Sequence, residues 1–320
     1  MNVLKYIHSR TQIDIDSFDP EAALKGGPYG PWNDATSNPA EVYSQITDPR
    51  NATIVKKAID ISGQIHTNFP GVSEQELRVE VVTVLLAARV ISFIKGAVHV
   101  MANPCYAFST GKVIAMGHRY NKIFLHIDPT FDTSRIIMKV PATFEGLRAC
   151  RELRKAGIKT LATTVFTIEQ AITAGEAGCI SISPYEDESP LLGLCVKAQK
   201  YYEQHCIATL VKACSCMSMD EIIQLAGVAA HTIPPQDIDT LRTMHLSEAQ
   251  LNSQSLFKND AWAVGSQKRR SYIDDEVRYR VEFAAAENGD GQAKLFQAIS
   301  MFCDFQKEAE WKMTELTVAV

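Results

Sequence analysis

Long apolar runs are missing from this 320-residue chain. The most apolar helical stretch, VVTVLLAARVISFIKG (81–96), carries Arg89 and is short for a bilayer span. The N-terminus, MNVLKYIHSRTQIDID, lacks the uninterrupted apolar core of a signal peptide, so the expected setting is cytoplasmic with no membrane partner. A basic excess is also missing. Against 37 Asp and Glu stand 32 Lys and Arg, and the formal net charge of -5 leaves no electrostatic footprint for nucleic acid. Paired cysteine motifs are scarce: eight cysteines lie mostly in apolar runs, and only Cys214 and Cys216 are close together. With no second cysteine or histidine cluster nearby, neither a disulfide framework nor a metal site is expected. No G-x-G-x-x-G follows the first strand, which weakens a dinucleotide fold, and STGK (109–112) lacks the earlier glycine of a phosphate-binding loop. What remains is an ordinary globular composition, 46% hydrophobic and 22% charged, with enough length for a large core.

Short apolar runs alternate with longer amphipathic ones. Strands are expected at Gln12–Asp16, Trp32–Ala35, Ala97–Met101, Arg135–Lys139, Lys159–Thr163, Cys179–Ser183, Ile207–Lys212 and His231–Ile233. Helical patterns cover Ser73–Lys95, Thr143–Ala156, Thr167–Ala177, Leu191–Gln204 and Ser218–Leu225. Gly157, Gly178 and Gly227 stand where helix C-termini need a residue tolerant of positive φ. Eight β–α alternations predict a closed (β/α)8 TIM barrel. The expected organisation is one domain over 1–320, with a barrel at about 10–245 and a long C-terminal helical extension at about 246–320, interrupted at ENGDG (287–291).

The stretch IIMKVPA (136–142) sets Lys139 among Ile136, Ile137, Met138 and Val140, with Pro141 marking the strand exit. Burial disfavours an ammonium, and a neutral amine condenses with ketones and aldehydes. The C-terminal strand ends of such a barrel line its active site. A Schiff-base lysine and a snorkelling lysine both fit this pattern. Other strand ends carry polar groups: Asp16; Asp34, Thr36 and Asn38; Thr163 and Thr164; Ser183 and Tyr185; Lys212 and Ser215. Each alone is compatible with turn or cap chemistry.

DIDSFD (14–19), DATSNP (34–39), IIMKVPATFEGLRACREL (136–153), TIEQAITAGEAGCISISP (167–184) and IIQLAG (222–227) together resemble the transaldolase family of class I Schiff-base barrels, over about residues 12–235. The resemblance implies that Lys139 is the nucleophile and Asp16 a general acid/base. It further implies that Asn38 binds a substrate hydroxyl, Thr163 helps hold the catalytic water and Ser183 contacts the substrate. Thr36 and Ser215 are added as neighbouring strand-end groups. No cofactor is needed, since the imine is itself the electron sink. Dimers are common in that family, so the resemblance raises a homodimer, to which nothing else in the sequence points.

Departures from the family pattern limit what is carried over. Aligned through Gly96, the family's third-strand glutamate falls on Met101, which cannot shuttle protons. Its fifth-strand asparagine falls on Leu161, and its two phosphate-gripping arginines fall on Glu188 and Met217. Tyr185 stands where transaldolases carry phenylalanine and the related fructose-6-phosphate aldolases carry tyrosine, so Tyr185 and Thr163 form an expected water site. His99 and Asn103, on the parity of Met101, are candidates for the missing proton-transfer or water-orienting group. Lys212, by parity with Ser215, is expected to point outward. The reading is aldol or retro-aldol carbon–carbon chemistry on an unphosphorylated small-molecule carbonyl substrate. A sugar-phosphate transaldolase with phosphate contacts rearranged onto Lys25, Lys212 or Arg148, and a non-catalytic metabolite-binding barrel, stay open as alternatives.

Overall fold

A computed structural model describes residues 1–184, 192–257 and 268–318. Eight parallel strands pair in chain order and close into a barrel: β1 (Gln12–Ile15), β2 (Ala35–Thr36), β3 (Val98–Met101), β4 (Ile136–Pro141), β5 (Lys159–Val165), β6 (Ser181–Pro184), β7 (Leu210–Ala213) and β8 (Ala230–Ile233). Helices before and between the strands are α1 (Val3–His8), α2 (Pro20–Leu24), α3 (Pro39–Thr47), α4 (Ala52–Ile65), α5 (Glu74–Val90), α6 (Thr110–Ile127), α7 (Phe144–Lys155), α8 (Ile168–Ala177), α9 (Leu192–Gln204) and α10 (Met219–Gln224). After β8 come α11 (Pro235–Thr243), α12 (Glu248–Gln254), α13 (Glu276–Ala285) and α14 (Asp290–Val318).

The expected strands all form, with β2 beginning at Ala35 rather than Trp32, and β7 at Leu210 rather than Ile207. α6 was not expected. Gly111 and Gly117 interrupt its pattern, yet Val113, Met116, Tyr120, Ile123 and Phe124 recur at helical spacing and are buried. A Cβ on Gly117 would lie 2.6 Å from Leu153 Cδ2, so the glycine is what lets α6 and α7 pack closely.

Alternation along the strands sorts side chains into two cores. Outward residues such as Val98, Val100, Met138, Val140, Ala162 and Ile182 join the main apolar core under the helices, while Ala97, Ile137 and Leu161 form a separate small cluster inside the barrel. The extension breaks where expected: Glu287 and Asn288 adopt φ of 49° and 57°, and α14 restarts at Asp290. Close to that start, a Cβ on Gly291 would be 2.2 Å from Thr167 Cγ2, so α14 begins hard against the β5–α8 turn. It then runs past the barrel mouth, setting Phe305 against Tyr43 of α3 and Phe296 against Phe108. No helix of the described residues is long and apolar enough to cross a membrane.

On the outer face of β8, His231 is buried at 1% exposure, with Nε2 3.3 Å from Cys216 Sγ. Burial pulls its pKa down to about 3. The folded chain therefore holds this ring neutral while the unfolded chain protonates it below about pH 6.5, so its contribution is lost as pH falls. Between pH 7 and pH 5 wild type should lose on the order of 2 kcal/mol relative to a His231→Leu variant, measured as the change in their stability difference in urea unfolding.

Candidate active site

The inner face of β4 carries Ile137 and then Lys139, one step nearer the C-terminal mouth. Strand register puts Met101 of β3 and Leu161 of β5 directly beside Lys139. Lys139 is 8% exposed, and among the described residues its ammonium makes no hydrogen bond or ion pair. The amine is thus flanked on both sides by apolar groups.

The second inward lysine is treated in the opposite way. Lys212 does not point toward the helices. Its Nζ lies 2.7 Å from Asp14 Oδ2 and also bonds Asp34 Oδ2, inside the barrel. The expectation failed because β7 ends at Ala213 and Ser215 lies beyond it at φ 59°, so alternation does not extend from one to the other. Ala230 of β8, in register with both Gln12 and Lys212, is small enough to let the lysine reach across to β1. Burial works against the Lys212 ammonium, but the two carboxylates raise its pKa. Burial likewise opposes Asp34 ionisation, yet the His99 hydrogen bond and Lys212 hold its carboxyl below the usual range. Asp14, fully buried, is pushed up to about 6 by desolvation and by Asp34 despite Lys212.

His99 belongs to this lower layer rather than to the mouth. It is fully buried, its Nε2 stands 3.1 Å from Asp34 Oδ2, and its Nδ1 has no partner among the described residues. A carboxylate accepts, so Nε2 carries the proton. Burial and Lys212 lower the ring's pKa to about 4 and keep it neutral. Asn103 is also engaged away from the mouth: its Oδ1 accepts from Cys105 N at 2.9 Å and its amide reaches Glu76 at 3.4 Å.

At the strand ends, Asp16 is partly exposed and accepts a 2.5 Å hydrogen bond from Thr36 Oγ1, which fixes one carboxylate oxygen. The segment after Asp16 is anchored by Glu41 of α3, which accepts from Ser17 Oγ and Phe18 N. Burial raises the Glu41 pKa, with Asp16 adding to it. Asn38 caps α3 through Oδ1 to Glu41 N at 3.0 Å, leaving its NH2 for another partner. Thr163 pairs with Pro141, one step above Lys139 and Leu161. The β5–β6 register shifts between Ala162 and Val165, with Thr164 at φ 57°, an irregularity of the kind that re-aims strand-end side chains. Ser183 is buried near the end of β6, and Ser215 is partly exposed beyond β7. Tyr185 and Glu188 lie outside the described residues. Met217 is 73% exposed.

Beside Met101 and Asn38 a cavity of about 20 Å³, room for a single water, extends to Glu80, Tyr120 and Gln306 of α14. Glu80 is tied there by two 2.6 Å bonds from Arg119. The sequence reading missed the Asp14–Lys212–Asp34 layer, Glu41 and Gln306. Asp14 had a usable signal, since in IDID it shares the face of Asp16.

A parallel barrel with an unpaired amine at the inner end of its fourth strand has the architecture of a class I aldolase. The family model for transaldolase/fructose-6-phosphate aldolase matches residues 13–288, and the chain belongs to that family of aldolase-type enzymes. Relatives include transaldolases of Shewanella woodyi, 26% identical with 98% of each chain covered, and Methylobacillus flagellatus, 26% identical over 98% of this chain and 99% of that one. A transaldolase of Prochlorococcus marinus MIT 9313 is 26% identical over 75% of this chain and 65% of its own length.

The two lysines should answer the same substitution differently. Lys212→Met leaves two buried carboxylates facing each other and should cost about 3–5 kcal/mol of unfolding free energy. Lys139→Met removes an unpaired buried amine from apolar neighbours and should be neutral within about 1 kcal/mol or stabilising. Urea denaturation of both variants checks the contrast.

Proposed function

We propose that this chain is a Schiff-base aldolase acting on an unphosphorylated ketone or aldehyde, with Lys139 as nucleophile. The observation that carries the reading is the contrast above: of the two buried lysines among the described residues, Lys212 is paired with two carboxylates and Lys139 with none. In the neutral form its Nζ adds to the carbonyl carbon, a carbinolamine forms, and loss of water leaves an iminium. The iminium draws in the electrons of the adjacent carbon–carbon bond. Asp16 accepts the proton of the β-hydroxyl as that bond breaks and the aldehyde product leaves. The resulting enamine takes a proton on carbon, and water adds to the iminium to return a ketone and the free amine. Run in reverse, the same steps make the bond.

Thr36 supports Asp16 as an acid/base by orienting its carboxylate. Asn38 suits a substrate hydroxyl because its capping bond uses only the amide oxygen. Thr163, Ser183 and Ser215 complete the strand-end set, with Tyr185 assigned to the water site on resemblance alone. Neither His99 nor Asn103 suits the role of the absent glutamate, since His99 is held by Asp34 below the mouth and Asn103 by its turn.

Met101 and Leu161 beside the amine favour a substrate less polar than a sugar. The second reading, a transaldolase on sugar phosphates, comes from the names of the relatives. Two cations that could have replaced its arginines are occupied: Lys212 by Asp14 and Asp34, and Lys25 by Asp239 at 3.2 Å.

Incubation with a panel of ketones and aldehydes, borohydride reduction and peptide mapping should yield an adduct on Lys139, absent from Lys139→Met. Asp16→Asn should still form the adduct while carbon–carbon cleavage slows by about 10²–10⁴. Adduct formation only with phosphorylated sugars, or inhibition by low millimolar phosphate competitive with the carbonyl, would replace this reading with the second.

A further inference from the structure

The cysteines are free thiols, and among the described residues two pairs of them share a hydrogen bond: Cys150 with Cys179, and Cys105 with Cys303. Cys150 and Cys179 are sealed in the core at 0% and 2% exposure, beyond the reach of a solute. The other pair is open to solvent. Cys105 is exposed and Cys303 is half-buried.

This pair joins two distant parts of the chain at the barrel mouth. Cys105 stands in the turn Pro104–Tyr106 that follows β3. The turn is held on its other side, since Cys105 N donates to Asn103 Oδ1 at 2.9 Å and the Tyr106 hydroxyl donates to Glu76 of α5 at 2.7 Å. Cys303 lies on α14, which packs on this turn and on α3 and α5. Phe296 precedes Cys303 by two helical turns, so both project from one face of α14. The Phe296 ring meets Phe108, three residues after Cys105, at 5.6 Å between centroids. One face of α14 thus runs along 105–108, ring against ring and thiol against thiol.

The two sulfurs are not equivalent. Burial and the hydrogen bond to Cys105 push the Cys303 thiol up to about 12, so Cys303 keeps its proton. Cys105 is the sulfur that an oxidant in solution meets first. An accessible cysteine with a second thiol beside it has the layout of a redox-sensing pair.

We propose that Cys105 and Cys303 are a redox couple that a hydroperoxide converts to a disulfide, strapping α14 to the turn after β3. With hydrogen peroxide, the Cys105 thiolate attacks one oxygen, the O–O bond breaks and hydroxide leaves, giving a sulfenic acid. The Cys303 sulfur then attacks the Cys105 sulfur, the S–O bond breaks, and the Cys303 proton departs with the leaving hydroxide as water. The thiols lose two electrons and two protons in all, and the peroxide is reduced to two waters. The bond closes a loop that contains β4 to β8, and it stops α14 from lifting while the barrel stays folded. Because α14 packs on α3, the helix capped by Asn38, the strap bears on the mouth without using a residue assigned to the chemistry there.

The test treats the reduced full-length protein with a few equivalents of hydrogen peroxide, alkylates the remaining thiols and maps a non-reduced digest by mass spectrometry. The expected product is a Cys105–Cys303 linked peptide that dithiothreitol reverses. In Cys303→Ser, dimedone should trap a sulfenic acid on Cys105, whereas Cys105→Ser should leave Cys303 unlabelled. Oxidation of wild type should slow amide hydrogen exchange over 299–310 by about tenfold, and neither variant should show the slowing. Conversion of Cys105 to sulfinic acid with Cys303 still free, linkage mainly through Cys206 or between chains, or a linked protein with unchanged exchange in α14 would each overturn the proposal. None of these readouts uses Lys139 or a carbonyl substrate, so the couple and the Schiff-base reading stand or fall independently.

Discussion

Lys212, held between Asp14 and Asp34 inside the barrel, is the interaction on which the arrangement of the strands depends. It ties β7 to β1 and β2 across the lumen, and His99 extends the tie to β3 through Asp34. A buried ion pair of this kind is a weak source of net stability, because desolvation consumes much of the attraction. Its effect is on specificity: any slip in strand register would strand two carboxylates or an ammonium in low dielectric. The charge layer therefore fixes which residues of β1, β2, β3 and β7 face inward, and with that the level at which Asp16, Thr36 and Met101 emerge at the mouth.

Above this layer the barrel does the reverse. Lys139 is given apolar neighbours on both adjoining strands and, among the described residues, no counter-ion. The lower lysine is neutralised by chemistry that would disable a nucleophile, and the upper one is left without it. The polar groups at the mouth are in turn held by elements outside the barrel. Glu41 of α3 grips the turn after Asp16, and Asn38 is fixed by capping the same helix. Tyr43 on that helix contacts Phe305 of α14. The C-terminal helix thus packs against the same helix that positions two candidate site residues, which gives the extension a physical connection to the chemistry.

The order of elements was legible because hydrophobic periodicity is local. A parallel strand buried on both faces reads as a short apolar run, and eight such runs with intervening amphipathic segments leave few topologies. Lys139 stood out for the same reason, as a charge in a run with no other. α6 was obscured by Gly111 and Gly117, whose use is tertiary: one of them makes room for Leu153. Family motifs carried the strand-end candidates further than pattern could, and the family model matches residues 13–288, a range that contains those segments.

What the sequence by itself determined is the alternation of strands and helices, the family, and the one amine in an apolar strand, all of which are properties of neighbours along the chain. What only the tertiary structure decided is the state of each buried charge. Lys212 and Asp14 are 198 residues apart, and no spacing rule relates them. His99 was a candidate for proton transfer, but Asp34 lies beside it, and Trp32, expected to open the second strand, instead precedes it with its ring buried. Ionisation and hydrogen bonding are set by the groups within a few ångströms in space, and folding alone chooses those.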